Sequence, residues 1–219
     1  MDIKHSIIVF ISIMLSYFIG AIPFGYVVAK LVKGIDIRQH GSNNIGATNV
    51  ARVLGTPYFF VVFILDALKG FAPVFFITPI AYADVKCAIC VSTLYVSCAT
   101  FALVGHIFPV YLKFKGGKGV ATAAGIIFAL NYMAGLIALG VWLVIFVIFG
   151  YVSLASIVAA IALPIAQILS DVSALGNRLP VTIFCILAGV IVIIRHRTNI
   201  KRLLQGTESR ILWQKKKSS

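Results

Sequence analysis

The chain has 219 residues, of which 61% are hydrophobic and only 11% charged, and its mean hydropathy is +1.05. Soluble domains carry about 25% charged residues, so this composition excludes a soluble globular domain and describes a polytopic membrane protein. Net charge is +13, but in such a chain a basic excess first reports orientation, because Lys and Arg collect in cytoplasmic loops; nucleic acid is not the default partner.

Apolar windows of about 20 residues, the length a spanning helix needs, lie at Ser6–Ala29, Pro57–Ala83, Cys87–Val104, Val120–Gly150, Ser153–Ser170 and Pro180–Ile194. The first has a basic flank, Lys4 and His5, as a secretory signal does. No clear small-residue cleavage site precedes the polar run that comes next, so it reads as a retained span. Val120–Gly150 is 31 residues, interrupted by Asn131, Tyr132 and Gly135, too long for one ordinary span. Charge decides whether it counts once or twice. With two short spans there, seven in all and the N-terminus outside, the inner face collects 15 of the 19 Lys and Arg; six spans would put the basic N-terminal loops and the basic tail on opposite faces, against the orientation rule. The expected fold is an all-α integral membrane protein of seven transmembrane helices, two of them short, with a cytoplasmic C-terminus. It forms a single domain over residues 1–219, with no internal repeat and no low-complexity segment.

That topology places the polar motifs on one face. The first, HGSNNIGATNVAR at 40–52, offers Ser42, Asn43, Asn44, Thr48 and Asn49 as hydrogen-bonding side chains, Gly41 and Gly46 as flexible points, and Arg52. Glycine-rich turns and helix N-termini point amides at anions, and an arginine fork can clamp one. A solvated, N-capped loop is the plain alternative, but it needs neither the amide density nor the arginine. Next, Asp66 and Lys69 put an acid and a base three apart inside an apolar window, where charges pair with each other or serve a site. Cys87 and Cys90 have CxxC spacing, yet no thioredoxin-like pattern surrounds them; they read as packing residues.

The motif GHIFPVYLKFKGGKGVAT at 105–122 opens an apolar helix with Lys115, Gly116, Gly117, Lys118 and Gly119. It is not a P-loop, because Gly119 stands where that pattern needs Ser or Thr. Two ammonium groups beside glycine amides at a helix N-terminus still favour a phosphate; positive-inside anchoring explains the lysines but not three glycines among them. His106, next to this turn, reads on sequence alone as a satisfied interfacial histidine or a ligand. Beyond the last span, RHRTNIKRLLQGTE at 195–208 places His196 and Asn199 on one helix face. An anionic-lipid anchor accounts for its basic residues but not for those two. Several anion-binding elements and almost no acidic ones on one face point to a phosphate-bearing substrate.

These motifs, GSNNIGATNVARVLG, DALKG, GHIFPVYLKFKGGKGVAT and RHRTNIKRLLQGTE, resemble in content and order the bacterial acyl-phosphate:glycerol-3-phosphate acyltransferases of the PlsY type. The opening motif of that family more often has glycine where this chain has Asn43, and the ending WQKKKSS matches no family motif. The resemblance implies a seven-span enzyme of the bacterial cytoplasmic (inner) membrane with its site facing the cytoplasm. Such an enzyme moves a fatty acyl group from acyl-phosphate to the sn-1 hydroxyl of glycerol 3-phosphate, giving lysophosphatidic acid and phosphate. No coenzyme A, acyl carrier protein, cofactor or metal is expected, and the partners are the two substrates and membrane lipid. The catalytic residues expected are Ser42, Lys115, Lys118, His196 and Asn199. Substrate binding is expected from Gly41, Asn44, Thr48, Asn49, Arg52, Lys69, His106, Gly116, Gly117 and Gly119. The HxxxxD pair of other glycerolipid acyltransferases is absent: Phe10, Ile45, Tyr111 and Lys201 stand five residues after the four histidines. Two proton acceptors remain, His196 and a donor phosphate oxygen. A transporter or flippase for an organic phosphate or lipid is the competing class, disfavoured by the missing repeat, and a lipid-anchored binding protein is a third.

Overall fold

The computed structural model describes residues 3–82, 88–170 and 178–210. Cys87, Lys86 and the terminal extension lie outside that set. Every regular element among the described residues is helical: α1 (Ile3–Ala21), α2 (Phe24–Lys33), α3 (Ala47–Leu54), α4 (Pro57–Ala72), α5 (Thr78–Tyr82), α6 (Ala88–Ile107), α7 (Val120–Leu130), α8 (Tyr132–Phe149), α9 (Val152–Leu169), α10 (Arg178–Arg195) and α11 (Arg197–Leu204). Among them, five stretches are long and apolar enough to cross a bilayer: Ile3–Lys33, Pro57–Ala81, Cys90–Leu112, Tyr132–Phe149 and Val152–Leu169. The pair α10 and α11, bent by 57° at His196, makes a sixth. Helix α7 is apolar but has 11 residues, about 16 Å at 1.5 Å per residue, roughly half the hydrocarbon thickness.

The long apolar run divides at Asn131, and the reason is local. Asn131 is extended, ends α7, and accepts the Ala134 amide with Oδ1 at 3.1 Å to cap α8. Its amide nitrogen reaches Gln167 Oε1 on α9 at 2.9 Å and Oγ of Ser170, the residue that ends α9, at 2.8 Å. A polar break inside an apolar segment is tolerable because neighbouring helices satisfy it.

Lipid gives helices no hydrophobic reason to associate, so close packing must do it, and small residues permit that packing. Gly20 of α1 and Gly105 of α6 face each other's backbones: a Cβ on Gly20 would stand 2.1 Å from the Ala102 carbonyl oxygen, and one on Gly105 2.3 Å from that of Tyr17. The pair α4 and α7 repeats the device, with Gly70 against Thr122 and Gly125 against Ala67. Short α7 is thereby held between α4, α6 and α8, its Ile126 and Ile127 buried with Leu103, Ile107, Val181 and Phe184. A second apolar cluster (Ile37, Ile45, Val50, Val62 and Leu112) seats the 37–54 segment on α4.

Lys69 finds a structural partner in this packing. Its ammonium lies 2.7 Å from Asp66 Oδ1 and donates to the Ile22 carbonyl at 2.6 Å. Ile22 sits where α1 gives way to α2 before Pro23, and its carbonyl accepts both Lys69 and the Phe24 amide, the latter at 3.1 Å, so Lys69 adds a second donor at a carbonyl outside the regular helix bonds. Both charges are nearly fully buried, and each needs the other.

Candidate active site

The N-terminal ends of α3 and α7, the start of α9, the α10–α11 bend and the 208–209 segment surround one open cavity. Its space, counted out into the open mouth, is about 830 Å³. Its polar lining includes Ser42, Asn44, Thr48, Arg52, Lys118, His196 and Asn199, and its apolar lining Phe59, Phe63, Trp142 and Val152.

The 40–52 loop is organised by one residue. Asn49, 2% exposed, accepts the Ser42 amide at 2.6 Å and donates to the carbonyls of Asn44 (2.8 Å), His40 (3.0 Å) and Ile37 (3.3 Å). Gly41 has φ +61, and a Cβ there would lie 2.3 Å from Asn49 Oδ1; only glycine admits the amide. Asn43 also has positive φ, +57, a conformation that Asn tolerates better than most side chains. No side chain caps α3, and Gly46, Ala47 and Thr48 at its start line the cavity.

The cations come from separate elements. Arg52 donates through Nη2 to Ser209 Oγ, while its buried Nε has no partner. Burial pulls its guanidinium below the ordinary value despite Glu208 nearby. Lys118 donates to Asn199 Oδ1, and Asn199 Nδ2 donates to Glu208 Oε1 at 2.6 Å. Burial, reinforced by Arg202, Arg52 and Arg195 and opposed by Glu208, pulls the Lys118 ammonium down to about 8. Glu208 also accepts from Ser153 Oγ at 2.9 Å and Arg202 Nε at 2.6 Å. Burial resists its ionisation, but those donors together hold its carboxyl below the usual range. His196 places Nδ1 2.8 Å from the Val192 carbonyl. A carbonyl can only accept, so Nδ1 carries the proton and a neutral ring keeps Nε2 as a base.

A family model described as glycerol-3-phosphate acyltransferase matches residues 10–206. A glycerol-3-phosphate acyltransferase of Staphylococcus haemolyticus is 45% identical over 210 residues, covering 93% of this chain and 98% of that protein. One of Staphylococcus aureus (strain Newman) is 44% identical over 209 residues, covering 94% and 98%. The chain belongs to the glycerol-3-phosphate acyltransferase family. It is also similar to two crystal structures of PlsY (YgiH), an integral membrane glycerol 3-phosphate acyltransferase. Each is 41% identical and covers 93% of this chain and 95% of that one; the TM-score is 0.81 for the glycerol 3-phosphate form and 0.79 for the lysophosphatidic acid form. The all-α membrane fold of this acyltransferase family is therefore the fold seen here.

Within this family member the cavity gathers ten of the residues singled out in the sequence: Ser42, Asn44, Thr48, Asn49, Arg52, His106, Lys118, Gly119, His196 and Asn199. Gly41, Lys69, Lys115, Gly116 and Gly117 do not line it. Lys69 is engaged by Asp66 and Ile22, and Lys115 is exposed. The glycine turn also departs from the expected anion nest: the Gly116 amide donates to the Ile107 carbonyl at 3.1 Å and the Gly117 amide to that of His106 at 3.2 Å. Those amides already have acceptors. A Cβ on Gly117 would stand 2.2 Å from His106 Nε2, so the glycines let the turn lie against α6.

Sequence reasoning missed Glu208, together with Ser153 and Trp142. A signal for Glu208 was present: it is the only glutamate in the chain, set in a strongly basic segment. A lone acid there is an expected partner for several donors at once.

Proposed function

We propose that this protein transfers an acyl group from acyl-phosphate to the sn-1 hydroxyl of glycerol 3-phosphate at the cytoplasmic face of a bacterial membrane, releasing lysophosphatidic acid and inorganic phosphate. The observation that carries the reading is that Lys118 and Arg52, whose Nε is unpartnered, line one cavity together with the apolar side chains of Phe59, Phe63, Trp142 and Val152. Two phosphate-bearing substrates need two cationic contacts, and a fatty chain needs an apolar wall beside them.

Acyl-phosphate is a mixed anhydride, so its phosphate already leaves readily. The glycerol hydroxyl oxygen attacks the acyl carbon, the carbon–oxygen bond to phosphate breaks, and phosphate departs with that electron pair. The hydroxyl proton passes to a phosphate oxygen of the donor or to His196 Nε2. Lys118 and Arg52 hold the two phosphates, Ser42 and Asn199 supply neutral hydrogen-bonding groups, and Asn49 keeps the Ser42 loop in shape. Orientation of this kind supplies roughly 7 kcal/mol or more of the barrier reduction. Direct transfer suits the site, since among the described residues no side chain is bonded to Ser42 Oγ to activate it as a nucleophile.

Purified protein in detergent, given acyl-phosphate and glycerol 3-phosphate, is expected to release phosphate and form the 1-acyl product without coenzyme A or acyl carrier protein. Product formed only from a thioester donor would overturn the donor assignment, and an acyl group trapped on Ser42 would overturn direct transfer.

A further inference from the structure

The turn that carries Lys118 is held from two sides. Its amides are taken by the Ile107 and His106 carbonyls at the end of α6. Its carbonyls face the other way, and there Arg195 Nη2 donates to Gly116 at 3.2 Å and Gly117 at 3.0 Å. Arg195 is the last residue of α10 and does not line the cavity. Its guanidinium also lies 6.0 Å from the Phe108 ring centre, at the reach of a cation–π contact. The next residue is His196, whose ring is fixed to Val192 one turn back on α10.

From this geometry we infer that Arg195 is a positioning residue: it locks the Gly116–Gly117 turn to the end of α10 and so sets Lys118 in register with His196. A basic residue that only anchored the helix at the membrane surface would turn toward headgroups. Arg197 fits that description, being exposed. Arg195 is half-buried and bridges two backbone carbonyls far away in sequence. Shifts of about an ångström remote from the chemistry can lower rates about a hundredfold, so losing this brace should disturb catalysis without emptying the cavity of any side chain.

The inference rests on the proposed role of Lys118 as a phosphate contact. Its test is steady-state kinetics of detergent-purified Arg195→Gln, Arg195→Lys, Arg197→Gln and Lys118→Ala with acyl-phosphate and glycerol 3-phosphate, each variant also followed by thermal unfolding. Arg195→Gln is expected to lower kcat/KM about 30-fold, through both kcat and KM, while its unfolding midpoint stays within a few degrees. Arg195→Lys should recover about a third of the loss, since one ammonium reaches one carbonyl well. Arg197→Gln should remain within twofold of the parent. Equal losses in Arg195→Gln and Arg197→Gln, or a kcat/KM for Arg195→Gln within twofold of the parent, would overturn the inference while a defective Lys118→Ala keeps the site reading intact. An active Lys118→Ala would instead sink the site reading. If Arg195→Gln fails to fold, Arg195→Lys decides: a parental kcat/KM overturns the brace.

Discussion

Two loops that look alike in sequence, both polar and glycine-punctuated, are built in opposite ways. In the 40–52 loop a side chain organises the backbone: Asn49 serves four main-chain groups from the inside, and the uncapped start of α3 faces the cavity. In the 113–119 loop the backbone organises itself against α6 and Arg195, and a single side chain, Lys118, carries the turn's charge into the cavity. The first loop is a surface of many weak donors, the second a rigid arm for one strong one. Glycine content alone does not distinguish an anion cradle from a close-packed hinge; the partners of the amides do.

On that contrast, the rigid arm is the more sensitive to loss of one group. Lys118→Ala should reduce kcat/KM by about 10² to 10³, the scale for removing one preorganised hydrogen-bond donor, as measured by phosphate release from purified enzyme. Asn49→Ala should act differently, because it leaves the Ser42 amide and the Asn44 carbonyl with no protein partner, while the Ile37 and His40 carbonyls keep the backbone donors His40 and Asn43. A buried unmet group costs about 1–3 kcal/mol, so this variant should show a lowered unfolding midpoint and a roughly tenfold loss of activity together. Loss of activity with an unchanged midpoint would mean that Asn49 touches substrate instead of shaping the loop.

The arm also titrates. Burial, with neighbouring cations, brings Lys118 from 10.5 to about 8. In the proposed role of Lys118 the ammonium is the form that binds phosphate, so kcat/KM should be level below that pH and fall about tenfold for each unit above it. A bound phosphate would restore the proton, so the corresponding limb of kcat should lie higher. Stability without substrate runs the other way. Between about 8 and 10.5 the unfolded chain holds this proton and the folded chain does not, so this contribution stabilises the fold as pH rises through that window. A profile unchanged by Lys118→Arg would assign the limb to another group.

Much of the all-α membrane fold was legible in the sequence, because apolar length obeys the bilayer directly. The break at Asn131, the closing of His196 and Asn199 on one cavity, and the placement of Arg52 and Lys118 in it follow patterns of period and sign. What was not legible depends on partners distant in sequence. The sequence leaves Lys69 open as a partner of Asp66 or a site charge, and nothing near it announces that the Ile22 carbonyl, 47 residues away, accepts a hydrogen bond from its ammonium. Gly116 and Gly117 carry the composition of a phosphate nest, and only the approach of α6 shows where their amides go. Glu208 gathers donors from α9 and α11, a convergence that no local window contains.

The weakest effect tests the division most directly. Lys115 and Lys118 are three residues apart, both lie in the glycine turn, and the sequence ranks them equally. In the fold Lys115 is exposed and off the cavity, while Lys118 meets Asn199 inside it. A charge in water is screened, and one beyond about 10 Å contributes little at ordinary salt. Lys115→Ala should therefore stay within about twofold of the parent in kcat/KM at moderate ionic strength, with the small residual effect fading as salt is raised. A loss matching that of Lys118→Ala, persistent in salt, would mean that the turn swings Lys115 inward with substrate, and the arm would then be a mobile element, not the rigid one its backbone bonds describe.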